Sequence, residues 1–235
     1  YVDPFLGTSS CRWMLFPGPA MPFGMVKLSP DTTADSTMDA GYEYDIKSIS
    51  GFGHVHSWMM GSFLCMPTTG DIKIEPGTKD DPDAGYRSRF SHENEKASPG
   101  YYSVILDDYG IKAELTVTTR GGFQRYTFPE TDVAHILFDL QVPEEGQPEI
   151  ISASVKKISD TEISGTIYRI AGWNEYKLHF VARLNMEREM GEFGWDFDTV
   201  HRYARKTWSQ LLNKIKIERG TEVQRTKFYT KRCRG

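Results

Sequence analysis

At 235 residues, with 39% hydrophobic and 26% charged side chains, the chain is long enough to bury a sizeable core and too apolar to stay disordered. Its 28 basic residues are interspersed among 32 acidic ones for a net charge of -4, which argues against nucleic acid as the main partner; no run reaches the roughly 18 apolar residues of a membrane span. Cys11, Cys65 and Cys233 fit neither a disulfide framework nor a metal knuckle, and a chain that opens on Tyr1 with no secretory leader reads as a trimmed or partial product.

The first thirty residues are rich in turn formers, and Phe16-Pro-Gly-Pro-Ala-Met-Pro-Phe-Gly24 is a path no helix follows. Short strands are predicted at Met25–Leu28 and Gly41–Ile46, and another over Gly70-Asp-Ile-Lys-Ile-Glu-Pro-Gly77, closed by a Pro-Gly turn. Tyr101–Leu106 and Ile111–Thr118 alternate on either side of Asp107-Asp-Tyr-Gly110 and read as a hairpin. Runs at 124–128, 134–140, 150–155, 162–168 and 176–181 continue a meander with the spacing of a sandwich. From Asp196 the period changes: Val200, Tyr203, Ala204, Trp208, Leu211 and Leu212 recur at helical spacing, with Asp196 or Asp198 as cap and Asn213 near the end. The expected fold class is mostly β, an antiparallel β-sandwich followed by a C-terminal linker helix.

One stretch is chemically unusual. Gly51-Phe-Gly-His-Val-His-Ser-Trp-Met-Met-Gly61 places His54, His56 and Trp58 at alternate positions, which in a strand would share a face. Glycines allow close approach of backbone to a ligand, while imidazole and indole offer directional hydrogen bonds and a flat apolar face, a set that suits a sugar. The competing reading is packing, because His and Trp commonly sit partly buried with one polar contact, and Met59 and Met60 beside them look like core.

Taken in order, several blocks resemble the amino-terminal domain of glycosyl hydrolase family 92, the calcium-dependent exo-acting alpha-mannosidases. They are Val2–Thr8, Phe16–Asp31, Gly41-Tyr-Glu-Tyr44 with Gly51-Phe-Gly-His-Val-His56, and Phe90–Val104 running on through Asp107–Ile111 and Glu114–Arg120 to Arg125-Tyr-Thr-Phe-Pro129. Phe197-Asp198, Trp208 and Phe228-Tyr-Thr230 are similar to the family's helix and linker. The resemblance implies a supersandwich-like β domain over 1–195, then a linker over 196–235 leading to an (α/α)₆ domain that this sequence lacks. It implies a mannose-containing oligosaccharide such as an N-glycan as substrate, calcium held mainly by residues outside this chain, and an extracytoplasmic location.

No catalytic residue or metal ligand is nominated here. An inverting glycosidase needs two carboxyl groups about 6.5–9.5 Å apart on opposite sides of the bond. Glu93 and Glu95 would point the same way from a strand, and Asp107 and Asp108 belong to a turn. Binding residues carried over from the resemblance are His54 and His56 of the family's His-x-His loop, Trp58 as a stacking surface, and Arg12 with Trp13 in the first pocket loop. Departures are a direct join near 181–182, where the family carries further strands, and Ala34–Asp39, where many members have a tryptophan. The expected role is therefore a sugar-facing domain that does not turn over alone; the alternative is a stand-alone carbohydrate-binding or interaction module.

Overall fold

The computed structural model describes residues 1–9, 15–32, 41–56, 62–141, 149–171, 174–184 and 196–234. Strand residues make up 38% and helix 18%, so the chain is mostly β, as expected. Thirteen strands are assigned among the described residues: β1 (Ser29–Asp31), β2 (Ser48–Ile49), β3 (Gly51–Gly53), β4 (Leu64–Thr69), β5 (Ser88–Arg89), β6 (Lys96–Ser98), β7 (Tyr101–Leu106), β8 (Ile111–Val117), β9 (Gly122–Thr127), β10 (Ala134–Asp139), β11 (Glu149–Lys157), β12 (Glu162–Ala171) and β13 (Asn174–Arg183). Every pairing is antiparallel, in sheets ordered β1-β3-β4-β10, β6-β7-β8-β9, β11-β12-β13 and the two-stranded β2-β5.

The β1-β3-β4-β10 sheet lies between two cores because its side chains alternate. Phe52, Met66 and Leu137 join the main core with Tyr102, Val104, Leu106, Ile111, Ala113 and Leu115 of the β6–β9 sheet. Their strand neighbours Cys65 and Phe138 turn the other way, to pack with Phe63, Ile167, Leu178 and Phe180 against β12 and β13. Burial pushes the Cys65 thiol up to about 12, so it behaves as an apolar group.

The hairpin at 101–118 forms as read, β7 pairing with β8 from Leu106↔Ile111 to Tyr101↔Thr116. Three other expected strands do not form; Met25–Leu28 holds only the isolated bridge of Lys27 to Ala20. Residues 41–46 run as turns, and 70–77 is irregular with Ile72 and Ile74 exposed, so its alternation has no buried face to stabilise a ladder. β4 was not expected, since its run Leu-Cys-Met-Pro-Thr-Thr does not alternate and contains Pro67. β3 pairs only with Leu64 and Cys65, so on that side the missing Pro67 N–H removes no ladder bond. The join at 181–182 falls within β13, which pairs with β12 without interruption from Ala171↔Asn174 to Glu162↔Arg183. Among the described residues β11 and β13 are edges, and Ile151, Val155 and Val181 of this sheet are exposed.

The helix begins where its cap predicts. Asp196 Oδ1 accepts the Thr199 N–H at 2.6 Å, and α1 runs over Phe197–Leu212 with Val200, Ala204 and Trp208 buried. Ala204 meets the main core, Trp208 Nε1 donates to the Ala20 carbonyl at 2.8 Å, and Arg125 of β9 bridges Glu114 of β8 to Asp198 of α1. Burial alone would raise the Glu114 carboxyl; the hydrogen bonds from Arg125, Tyr101 and Lys112 outweigh it and hold the group at about 2. The Trp208 side chain is 6% exposed and belongs to this domain's own interior. A second helix, α2 (Glu222–Arg234), follows; its mostly polar sequence has a weak apolar stripe, which hid it. Its Thr230 Oγ1 accepts the Asp3 N–H at 3.0 Å, and Tyr229 stacks on Tyr1.

Candidate sugar-facing site

His54 and His56 follow the end of β3, not within a strand, so they are placed by an irregular segment with two different environments. His54 is half-buried: its N–H donates to Ser62 Oγ at 2.8 Å, its carbonyl accepts from the Lys27 N–H at 3.0 Å, and its ring stacks near Phe63. The ring also lies over Gly122, where a Cβ would stand 2.6 Å from Cδ2, so only glycine fits beneath it. Burial, and then repulsion from His56, lowers the His54 imidazole to about 4, leaving it neutral at physiological pH. Its Nδ1 is enclosed and has no hydrogen-bond partner among the described residues.

His56 is only 2% exposed. Its Nδ1 is 2.8 Å from the Lys27 carbonyl, which fixes the proton there, and Nε2 faces Asp31 Oδ2 at 3.3 Å, with Phe16 against the ring. Asp31, the last residue of β1, is a site residue that sequence reading missed. Its carboxylate sits between two glycines: a Cβ on Gly41 would come within 2.0 Å of Oδ1, and one on Gly53 within 2.8 Å of Oδ2. Gly41 also has φ +85°, a conformation that favours glycine. The available signal was Gly41 and Gly53, both upstream of the His-x-His segment.

The structure thus brings His54, His56 and Asp31 together, along with the arm that carries residues 20–27. In that arm Ala20 bridges Lys27, and the turn Met21-Pro-Phe-Gly24 is closed by the Gly24 N–H donating to the Met21 carbonyl at 2.9 Å. Phe23 occupies the position where such a turn requires positive φ; it has φ 57° and is 97% exposed. The Met25 N–H donates to Thr119 O at 2.8 Å, seating the arm on the turn before β9. Arg12, Trp13 and Trp58 lie outside the described residues.

The two glutamates set aside in the sequence have separate fates. Residues His92–Asn94 form a 3₁₀ turn capped by Ser91, not a strand, so Glu93 is exposed while Glu95 is buried. Glu95 accepts from Tyr42 Oη at 2.9 Å and Tyr102 Oη at 2.6 Å and faces His92 Nδ1 at 2.6 Å. Burial first, then the Glu95 charge, raises both tyrosine hydroxyls far above their ordinary range, so they remain donors. Asp107 and Asp108 occupy the β7–β8 turn, where Asp108 takes the N–H and guanidinium of Arg89.

Among the described residues no three carboxylate, imidazole or thiol side chains converge on a point that could hold a metal. Calcium asks for six to eight oxygens, and Asp31 offers one carboxylate beside an imidazole. These residues do not fit that ion.

Residues 1–224 match the family described as the glycosyl hydrolase family 92 N-terminal domain. A family GH92 alpha-mannosidase from Bacteroides thetaiotaomicron superposes with a TM-score of 0.88 at 28% identity, over 99% of this chain and 40% of that one. The same enzyme in complex with mannoimidazole gives the same score and identity, with 39% of that chain covered. A protein of Arthroderma benhamiae described as an uncharacterized secreted glycosidase is 30% identical over 141 residues, which are 56% of this chain and 17% of the fungal one. The chain therefore spans well under half the length of these relatives.

Proposed function

We propose that this chain, which belongs to glycosyl hydrolase family 92 as its N-terminal domain, forms the gripping wall of an alpha-mannoside cleft. The other wall, with the acid and base of an exo-acting inverting hydrolysis, belongs to the part of longer family chains that this sequence does not span. The observation that carries the reading is the superposition of 99% of the chain on 40% of a family GH92 alpha-mannosidase, which also has a structure with mannoimidazole. In our reading the boundary lies near 195, with 196–235 leading toward the (α/α)₆ portion; calcium belongs to that portion, and the substrates are mannosides such as those of N-glycans. The fungal relative, described as secreted, supports an extracytoplasmic setting, and no described helix is long and apolar enough to cross a membrane.

Within this wall the burial of His56 favours bracing over direct contact. His56 and Asp31 hold the segment that leads into Trp58, while Trp58, Arg12 and Trp13 meet the sugar and His54 offers a neutral imidazole at its edge. Two carboxyl groups flanking a bond are required for the chemistry, and Glu95, the buried candidate, is consumed by tyrosines and a histidine. Hydrolysis of an aryl alpha-mannoside or an alpha-1,2-mannobiose is assayed with the chain alone in calcium. No turnover is expected, and appreciable hydrolysis would overturn the assignment of the acid and base to the remainder.

The burial of Trp208 in this domain's own core favours one further reading, a self-sufficient carbohydrate-binding module. Calorimetry with mannosides separates the two, since binding of useful affinity by the chain alone supports the module.

A further inference from the structure

We propose that Glu95 and Tyr42 are positioning residues for the Asp31–His56 pair, acting along a strut of backbone from the β6–β7 sheet to the glycine cradle around Asp31. The proposal rests on the reading that this pair braces the sugar-facing segment, and its test is independent of sugar binding.

The strut starts at the Glu95 carboxylate, where a buried ion is a poor source of stability. Desolvating it is costly, and an apolar side chain of similar size would avoid that cost, so geometry is the better account of its presence. Three groups converge on it, and two belong to or grip residues 42–44. Tyr42 Oη donates to it directly; His92, at 2.6 Å on the other side, places Nε2 2.8 Å from the Tyr44 carbonyl and stacks on the Tyr44 ring at 3.9 Å with 2° between planes. Tyr102, the third, lies in β7 and meets the strut at its Glu95 end, on the same Oε1 that takes the Tyr42 hydroxyl.

From 42–44 the strut passes to Thr32. The Thr32 N–H donates to Gly41 O at 2.7 Å, the Glu43 N–H donates to Thr32 Oγ1 at 2.7 Å, and that hydroxyl donates to Glu43 O at 3.0 Å. Arg87 Nη1 takes the Thr32 carbonyl at 2.6 Å, which pins the residue from the far side. Thr32 is fully buried and follows Asp31 directly. Gly41 closes the path: with so little room between its Cα and Asp31 Oδ1, and His56 Cδ2 3.3 Å from where a Cβ would stand, any displacement of 41–44 displaces the carboxylate facing His56. A network that served stability alone would have no reason to end on this contact.

The test compares Tyr42→Phe with Tyr102→Phe in the whole chain, since each removes one hydroxyl from the same carboxylate and only the first unties residues 42–44, which lead on to Thr32, from it. The readout is the pair of ring ¹⁵N resonances of His56 in long-range ¹H–¹⁵N spectra, alongside thermal midpoints. Both variants are expected to melt lower; in Y42F the His56 ring resonances move, and in Y102F they stay at wild-type positions. Thr32→Val, which breaks the strut at its middle, should move them as Y42F does, and it carries the same prediction should Y42F not fold. Equal movement in Y42F and Y102F, or unmoved His56 resonances in a folded Y42F or T32V, would overturn the proposal.

Discussion

Replacing Phe23 by glycine should stabilise the domain, against the usual direction of a large-to-small change. A side chain at φ 57° carries a Cβ–carbonyl clash of roughly 1–2 kcal/mol. Because Phe23 is 97% exposed, removing its ring forfeits almost no burial. Glycine gives back about 0.5–1 kcal/mol through the freedom it adds to the unfolded chain, leaving a net gain of about 0.5–1 kcal/mol. At roughly 2–4 °C per kcal/mol for a domain of this size, the melting midpoint should rise by about 1–4 °C. Phe23→Ala is the control, since it keeps the Cβ and hence the clash, and Phe23→Asn should behave more like glycine. Thermal and urea unfolding followed by circular dichroism would measure all three. An F23G midpoint at or below that of F23A would refute the argument from backbone strain.

Gly122→Ala should cost about 1–3 kcal/mol in urea unfolding, as the new methyl meets the His54 ring at 2.6 Å, and the His54 resonances should move with it. His54 gives a pH dependence whose sign follows from its lowered folded-state value: the unfolded chain takes a proton below 6.5 and the folded one only near 4, so stability falls as pH drops through that window. For a half-buried ring the loss between pH 7 and 5 should be ~1–2 kcal/mol, and His54→Gln should flatten it. Trp208→Ala should cost about 3–5 kcal/mol, read by chemical unfolding, because it empties a core site and leaves the Ala20 carbonyl without its donor.

The regular half of the fold was legible because its pattern and its environment agree. β7 and β8 alternate around a Gly-containing turn and have one face in the main core, and Asp196 caps the helix that its period announces. Alternation misled where the environment did not match it. At 42 and 44 the alternate side chains are tyrosines engaged with Glu95 and His92, not a sheet face, and at 72 and 74 they are isoleucines in solvent. β4 hid behind Pro67 because the partner that would have needed its N–H stops at Cys65. Of the site, the His-x-His segment stood out by residue type, whereas Asp31 lies far off along the chain in an ordinary Ser-Pro-Asp context and is joined to the histidines only by folding. The strut from Glu95 was illegible for the same reason, as each of its links is a contact between distant segments.

The clasp between the first residues and α2, together with the seat of Trp208 on Ala20, bears on how the protein matures on the ribosome. Asp3 and Thr230 are 227 positions apart, and Ala20 and Trp208 are 188 apart. At the usual ~5–20 residues per second, translation leaves the apolar surface that Ala204 and Trp208 will cover open to the cytosol or translocation channel for several seconds after β8 has emerged. Nascent chains stalled before α1 should therefore recruit holdase chaperones or aggregate, and release past residue 208 should end that vulnerability.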